Sequence, residues 1–325
     1  MIKWGIIGPG TIANAFAKEV SKTEKGKLVA VYGRNEEKSK KFAKEYNLEK
    51  SYANIDEFLN DKEIDAVYIA TPHNYHMDFA IKCIKAKKHV LCEKPFSYNK
   101  KTSEEVLKLA KENNVFIMEA LWTLFFPAII KAKSWIDEGK IGKIKMITAS
   151  FGFESEEDIN SRLYNPNLAG GALLDVGIYP ILFSNFMMND VPKEINTTAT
   201  MTNTGVDESD IISFKYKDNT LASLSCSIKV ATDNTAVIYG EKGKIVIPSF
   251  WMAKKATLYS NNEEIVFEDE YKGTGYIYEI IEANNCILNN KIESDVASHK
   301  VTLELAKIMD EIRGQIGFIY PFEQI

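Results

Sequence analysis

The first 120 residues alternate short apolar runs with amphipathic segments. The runs Lys3–Ile7, Leu28–Tyr32, Ala66–Ala70, Val90–Cys92 and Phe116–Met118 are nearly continuous in apolar side chains, the pattern of strands buried on both faces. Between them, EEKSKKFAKEY (36–46) and TSEEVLKLAKEN (102–113) place apolar residues three and four apart, which predicts helices with one buried stripe. Strand and helix in strict alternation predict an α/β domain over residues 1–120, a doubly wound parallel sheet covered on both faces.

From about Lys143 the pattern changes. KIKMITASFGF, EINTTATMT, DIISFKYK, TLASLSCSIKV and NTAVIYGEKGKIVIP alternate polar and apolar positions, as antiparallel strands with one buried face do. KDN and EKG mark hairpin turns. Two helical patterns, TGYIYEIIEANNCILNN and VASHKVTLELAKIMDEIRGQ, close the chain. The expectation is an α+β domain over residues 121–325, an open and mostly antiparallel sheet with helices on one side, which closes the site and supplies substrate contacts.

Directly after the first strand comes Gly8-Pro9-Gly10-Thr11-Ile12-Ala13, a G-x-G-x-x-A in a strand–turn–helix context. The first glycine permits the tight turn, the second lets backbone approach a pyrophosphate, and Ala13 allows close helix–sheet packing. The helix start at Thr11 and Ile12 offers unpaired N–H groups to phosphate. This is the mark of a dinucleotide-binding Rossmann domain. At the tip of the second strand an NAD site carries an acid for the ribose hydroxyls. Here Tyr32-Gly33-Arg34-Asn35 stands instead. Arg34 suits a 2′-phosphate, Gly33 leaves room for it, and Lys38 adds charge one turn later, so NADP is favoured over NAD. Thr71, Pro72, His73 and His76 follow the strand at Ala66–Ala70, at the carboxyl edge where ligands bind, and join the candidate cofactor contacts. For His76 the expected role is a brace that caps exposed backbone groups.

The strand Val90–Cys92 runs into Glu93-Lys94-Pro95. A lysine at this edge faces the nicotinamide crevice, where its ammonium holds a substrate hydroxyl and stabilises negative charge on that oxygen; Glu93 and Lys94 are also candidate cofactor contacts. A second cluster is Gly170-Gly171-Ala172-Leu173-Leu174-Asp175-Val176-Gly177-Ile178-Tyr179-Pro180. Read as an α-helix, it puts Asp175 and Tyr179 four apart on one face. A phenol near an ammonium has its pKa lowered toward the range for proton transfer.

These motifs, in this order and across essentially the whole chain, resemble the glucose-fructose oxidoreductase/inositol dehydrogenase (Gfo/Idh/MocA) family. Met118-Glu119-Ala120-Leu121-Trp122-Thr123, then Phe125-Phe126-Pro127, with Tyr at 179, is similar to its dimeric dihydrodiol dehydrogenase and NADP-dependent D-xylose 1-dehydrogenase branch. The resemblance implies Lys94 and Tyr179 as the catalytic pair, Asp175 as their support and Trp122 as a substrate-pocket residue. It also implies a cis Lys94–Pro95 bond and a homodimer formed through the second domain's sheet. That branch carries arginine where this chain has Leu124, so any contact made by the arginine is absent. The implied reaction is hydride transfer between the nicotinamide and a secondary alcohol or hemiacetal carbon of a sugar, cyclic polyol or dihydrodiol. A non-catalytic NADP-binding sensor and a reductase of a C=N or pyrrole-type substrate remain as alternatives.

Composition narrows the classes further. With Lys and Arg intermixed with Asp and Glu and a net charge of −5, the chain offers nothing for nucleic acid or an anionic membrane surface. No stretch is expected to approach the roughly 18 apolar residues of a membrane span. Cys83, Cys92, Cys226 and Cys286 stand far apart and read as reduced thiols of a cytoplasmic protein. No His, Cys and carboxylate spacing suggests a metal.

Overall fold

The computed structural model describes residues 1–269 and 273–323. It divides into two units, Met1–Leu121 with Lys272–Leu303, and Trp122–Tyr271 with Glu304–Ile325.

In the first unit the five apolar runs become β1 (Ile2–Ile7), β2 (Gly26–Tyr32), β4 (Ala66–Ile69), β5 (His89–Cys92) and β6 (Ile117–Glu119). A sixth strand, β3 (Lys50–Tyr52), has no apolar run to announce it. All neighbours are parallel, in the order β3-β2-β1-β4-β5-β6. Strand order reverses at β1 and β4, and the ligand crevice of a doubly wound sheet lies at that point. Helices α1 (Thr11–Val20), α2 (Glu36–Glu45), α3 (Ile55–Asn60), α4 (His76–Lys85) and α5 (Lys100–Asn113) connect the strands. Phe16 of α1 stacks on Tyr68 of β4 with ring centroids 4.0 Å apart, and Trp4 of β1 meets Phe16 edge-on at 5.4 Å.

One helix falls differently from the linear division at residue 120. The segment α8 (Ile277–Leu288), expected in the second domain, packs against α1, β1 and β2. The reason is polar. Asn284 is buried in α8, and it accepts from Trp4 Nε1 at 2.9 Å and donates to Thr23 Oγ1 at 3.3 Å. Glu19 of α1, also buried, accepts the Thr274 N–H at 2.9 Å. Buried polar groups need partners, and Trp4 and Asn284 find each other only when the chain returns.

The second unit is built on an eight-stranded sheet. Its strands are β7 (Ile144–Gly152), β8 (Glu194–Met201), β9 (Asp207–Lys215), β10 (Leu221–Ser227), β11 (Thr235–Gly240), β12 (Gly243–Pro248), β13 (Lys255–Ser260) and β14 (Glu263–Glu268). They run in the order β14-β13-β12-β11-β7-β10-β9-β8, antiparallel except where β7 meets β10. The last two strands do not stand out in the alternation of apolar positions. Edge strand β14 carries Glu263, Glu264 and Glu268 exposed, charges that discourage pairing with a further chain. Helices α6 (Pro127–Asp137) and α7 (Ile178–Met188) pack on this sheet, and α9 (His299–Gln315) is divided by the unit boundary.

Contrary to expectation, Pro166–Met188 is long and apolar enough by length and composition to cross a membrane, with a mean hydropathy of 1.3 over its best window. Of that window 83% is buried inside the protein, so it serves as a core helix, hydrophobic all round because it is surrounded.

Candidate active site

The glycine-rich turn takes the geometry its residues permit. Gly8 sits at φ +94, and a Cβ there would lie 2.9 Å from the Ala70 carbonyl oxygen. A Cβ on Gly10 would meet nothing within 4 Å, so that backbone is open to a ligand. Gly10 also precedes α1 without a side-chain cap, which leaves its first N–H groups for an anion. A cavity of about 490 Å³ opens there, lined by Gly8, Gly10, Arg34, Lys38, Thr71 and Pro72 among others. Thr11, Ile12, His73, His76, Glu93 and Lys94 are not part of that lining. The residues present fit a dinucleotide phosphate: uncapped N–H groups at one place, an arginine and a lysine at another.

Gly33 has a packing job beside the one expected. A Cβ there would lie 2.7 Å from Pro9 Cδ and 2.8 Å from Ser39 Oγ. Its small size therefore lets the glycine turn and α2 pack together, and Gly33 also lines the cavity. The cavity also receives Tyr75, Asp78, Phe79 and Lys82, which the motif reading passes over. The Arg34 guanidinium lies over the Tyr75 ring, 5.2 Å from its centroid. The signal for the other three was helical periodicity: they stand three, four and seven residues after Tyr75 and share its face.

Behind the cavity the strand-edge loops are tied to each other. His76, fully buried, bonds Pro95 O and Thr71 O through its two ring nitrogens, each at 2.9 Å. It is a brace between two motifs, and burial holds its pKa below the usual histidine value. His73 is buried beside it, ring centroids 5.7 Å apart. The Lys94–Pro95 peptide is cis, as the resemblance implies, and Lys94 is half-buried. Glu93 is buried; its carboxylate bonds the Tyr68 hydroxyl and accepts the Lys94 N–H at 3.3 Å. The next turn is held by Glu119, whose Oε1 accepts Phe96 N–H at 2.7 Å. Burial pushes the Glu119 carboxyl up to about 7, against its bonds to Thr302 and Phe96, which lower it.

In the second unit Asp175 and Tyr179 are both buried, but their segment is not the α-helix expected. Leu173–Gly177 winds as a π-helical turn before α7 begins at Ile178. The wider turn alters the angular offset between positions four apart, and such turns recur at functional sites. Asp175 is held by Arg162, with Nη1 to Oδ1 at 2.6 Å and Nη2 to Oδ2 at 3.4 Å. The two-point fork fixes the carboxylate in orientation as well as position. Arg162 precedes Asp175 by 13 residues in a non-repeating stretch, and no sequence signal marks it. The Tyr179 ring lies 5.3 Å from Phe151, which stacks on Trp251 at 4.0 Å. Trp122 meets Phe126 edge-on at 5.2 Å. Thr123 next to it donates to Trp251 O at 2.9 Å, so one turn anchors the other. Leu124 is buried, where it fills core space.

Residues 2–121 match the oxidoreductase family with an NAD-binding Rossmann fold, and residues 129–246 match the GFO/IDH/MocA C-terminal domain. The chain belongs to the GFO/IDH/MocA oxidoreductase family. This family member is 35% identical to a trans-1,2-dihydrobenzene-1,2-diol dehydrogenase of Xenopus laevis over 98% of the chain and 99% of the relative. It is 33% identical to the scyllo-inositol 2-dehydrogenase (NADP(+)) IolU of Bacillus subtilis over the full length of both. Among solved structures, the aldose-aldose oxidoreductase of Caulobacter crescentus complexed with glycerol superposes with a TM-score of 0.89 at 20% identity, covering 97% of each chain. At that identity the likeness is one of fold.

Proposed function

We propose that this family member is an NADP-dependent dehydrogenase acting on a secondary alcohol or hemiacetal carbon of a sugar, cyclic polyol or dihydrodiol. The observation that carries the reading is full-length likeness to diol and inositol dehydrogenases in a chain that carries Lys94, Asp175 and Tyr179. For the cofactor, Arg34 and Lys38 in the cavity wall supply the charge that a 2′-phosphate needs. The backbone at Gly8 and Gly10 and the start of α1 hold the pyrophosphate, and Thr71 and Pro72 form the facing wall. When bound, NADP supplies the hydride acceptor or donor at C4 of its nicotinamide.

The protein's own groups handle the proton. The Tyr179 phenolic oxygen takes the substrate hydroxyl proton during oxidation and returns it during reduction. The Lys94 ammonium holds the same substrate oxygen, stabilises its negative charge and favours the ionised phenol. Asp175, locked by Arg162, keeps that group oriented, and Trp122 lines the substrate pocket. Tyr179→Phe and Lys94→Ala should each lower kcat by about 10²- to 10⁴-fold, while NADPH still binds by fluorescence titration. Near-normal turnover in both variants would remove the mechanism.

The assembly we infer is a homodimer through the second unit's sheet, supported by the exposed Met146, Ile211 and Leu221 among small hydroxyl side chains. Light scattering should then give about twice the 36.7 kDa of one chain; a monomer mass rejects it. The cytoplasm is the compartment supported by four buried free cysteines; fractionation of the producing cells would place it elsewhere if this is wrong.

A further inference from the structure

The turn that carries Asp175 and leads into Tyr179 has no cap of its own. It opens after Ala172, whose methyl side chain offers no acceptor, so the Leu173 N–H needs a partner from elsewhere. A carboxylate 34 residues away provides it. Asp207, at the start of β9, accepts Leu173 N–H through Oδ2 at 2.5 Å. Its Oδ1 lies where a Cβ on Gly171 would come within 2.2 Å. The backbone of the glycine pair, at φ +116 for Gly171, is thus pressed onto this carboxylate.

The same support continues under the far end of the turn. Asp210 lies close enough to Asp207 for the Asp207 charge to raise its carboxyl, and it accepts the Cys226 Sγ–H at 3.2 Å. The Cys226 sulfur in turn lies 2.9 Å from the position a Cβ on Gly177 would take. On the entry side, Tyr320 donates its hydroxyl to Gly170 O at 2.7 Å. The Tyr320 ring is stacked on Phe322 at 5.3 Å and has the Arg313 guanidinium 5.0 Å from its centroid. Asp207, Asp210, Cys226 and Tyr320 are all buried.

Two buried carboxyls side by side cost stability relative to an apolar pair of similar volume. Burial first, and the charge of Asp207 second, push Asp210 up to about 9, and burial raises the Asp207 carboxyl as well. Such a pair is a poor way to stabilise a sheet and a specific way to hold one N–H and two glycine backbones in register. We propose that Asp207, backed by Asp210 and flanked by Tyr320, is a positioning residue that sets the rotation of the π-helical turn and hence the aim of the Tyr179 phenol. The inference rests on the reading of Tyr179 as the proton-transfer group.

The test uses the full-length enzyme with the best-oxidised member of a panel of scyllo-inositol, D-xylose and trans-1,2-dihydrobenzene-1,2-diol. Asp207→Ala should lower kcat about 30- to 100-fold, with KM and the NADPH Kd within about threefold of wild type, the size of loss that a small misplacement of a reacting group brings. Asp207→Asn keeps an acceptor for Leu173 and should restore kcat to within about threefold. Tyr320→Phe keeps the ring stack, loses only the Gly170 bond, and should cost about three- to tenfold in kcat; it carries the test alone if Asp207→Ala does not fold. Wild-type kcat in Asp207→Ala and Tyr320→Phe, beside an inactive Tyr179→Phe, overturns this inference and leaves the parent reading standing. An active Tyr179→Phe overturns both.

Discussion

The two candidate site regions are held in place by different means. At the carboxyl edge of the parallel sheet, short reaches prevail: His76 reaches five residues to Thr71 and 19 to Pro95, and Glu119, besides its bond to the distant Thr302, reaches 23 to Phe96. The π-helical turn of the second unit leans on Asp207, 34 residues away, and on Tyr320, 150 residues away. The difference follows from architecture. A parallel sheet lines up the ends of consecutive βα units, so one short side chain spans from loop to loop. A turn lying against a mixed sheet has its orphan N–H groups facing strands that arrive later in the chain.

The largest expected effect therefore falls on the second region. Gly171→Ala puts a methyl group 2.2 Å from Asp207 Oδ1 at a φ that L-residues avoid. Denaturant titration should show a loss of about 3 kcal/mol or more. A loss below about 1 kcal/mol would mean that the glycine pair does not rest on the carboxylate. In the first region the strongest single change is Arg34→Ala. One charge-assisted contact to a 2′-phosphate is worth about 1.5–3 kcal/mol, so the Kd for NADP should rise roughly 10- to 100-fold. The Kd for NAD should move by less than about threefold. Equal weakening of both cofactors would take Arg34 out of the phosphate role.

The smallest effect sharpens how the first region's braces work. Glu119 holds its proton to about pH 7 in the folded protein, above its ordinary value of 4.5. The folded state thus binds more protons than the unfolded one between those values, and stability falls as pH rises from about 4.5 to about 7. Glu119→Gln keeps the acceptor for Phe96 and removes the titration. Its stability advantage over wild type should grow by about 2 kcal/mol between pH 5 and pH 8, read from paired thermal melts. An unchanged difference across that range would show that the Glu119 carboxyl is not held protonated by burial.

Much of the first region is legible before any coordinates. Gly8, Gly10, Arg34, Lys38, Thr71 and Pro72 appear as contiguous motifs at strand ends, and the structure collects them around one cavity. Gly33 shows the limit of such reading, because room for a ligand and room for Pro9 and Ser39 demand the same residue. Tyr75 and Lys82 are missed because they carry no motif, only a helical face. In the second region the Asp175–Tyr179 segment stands out by its glycines, but its π winding does not, since a five-residue hydrogen-bond register leaves no mark on apolar periodicity.

What the sequence by itself determined is the alternation of strand and helix in the first unit, the dinucleotide turn and the cation at the tip of β2. Each of these depends on neighbours within a few residues: a period of two or 3.6, a glycine where φ must be positive, a missing acid at a strand end. Only the tertiary structure decided that α8 returns to the first sheet, that Arg162 locks Asp175, and that Asp207 and Tyr320 anchor the glycine pair. Those are partnerships of buried polar groups, which must be satisfied somewhere but leave no local pattern to say by whom.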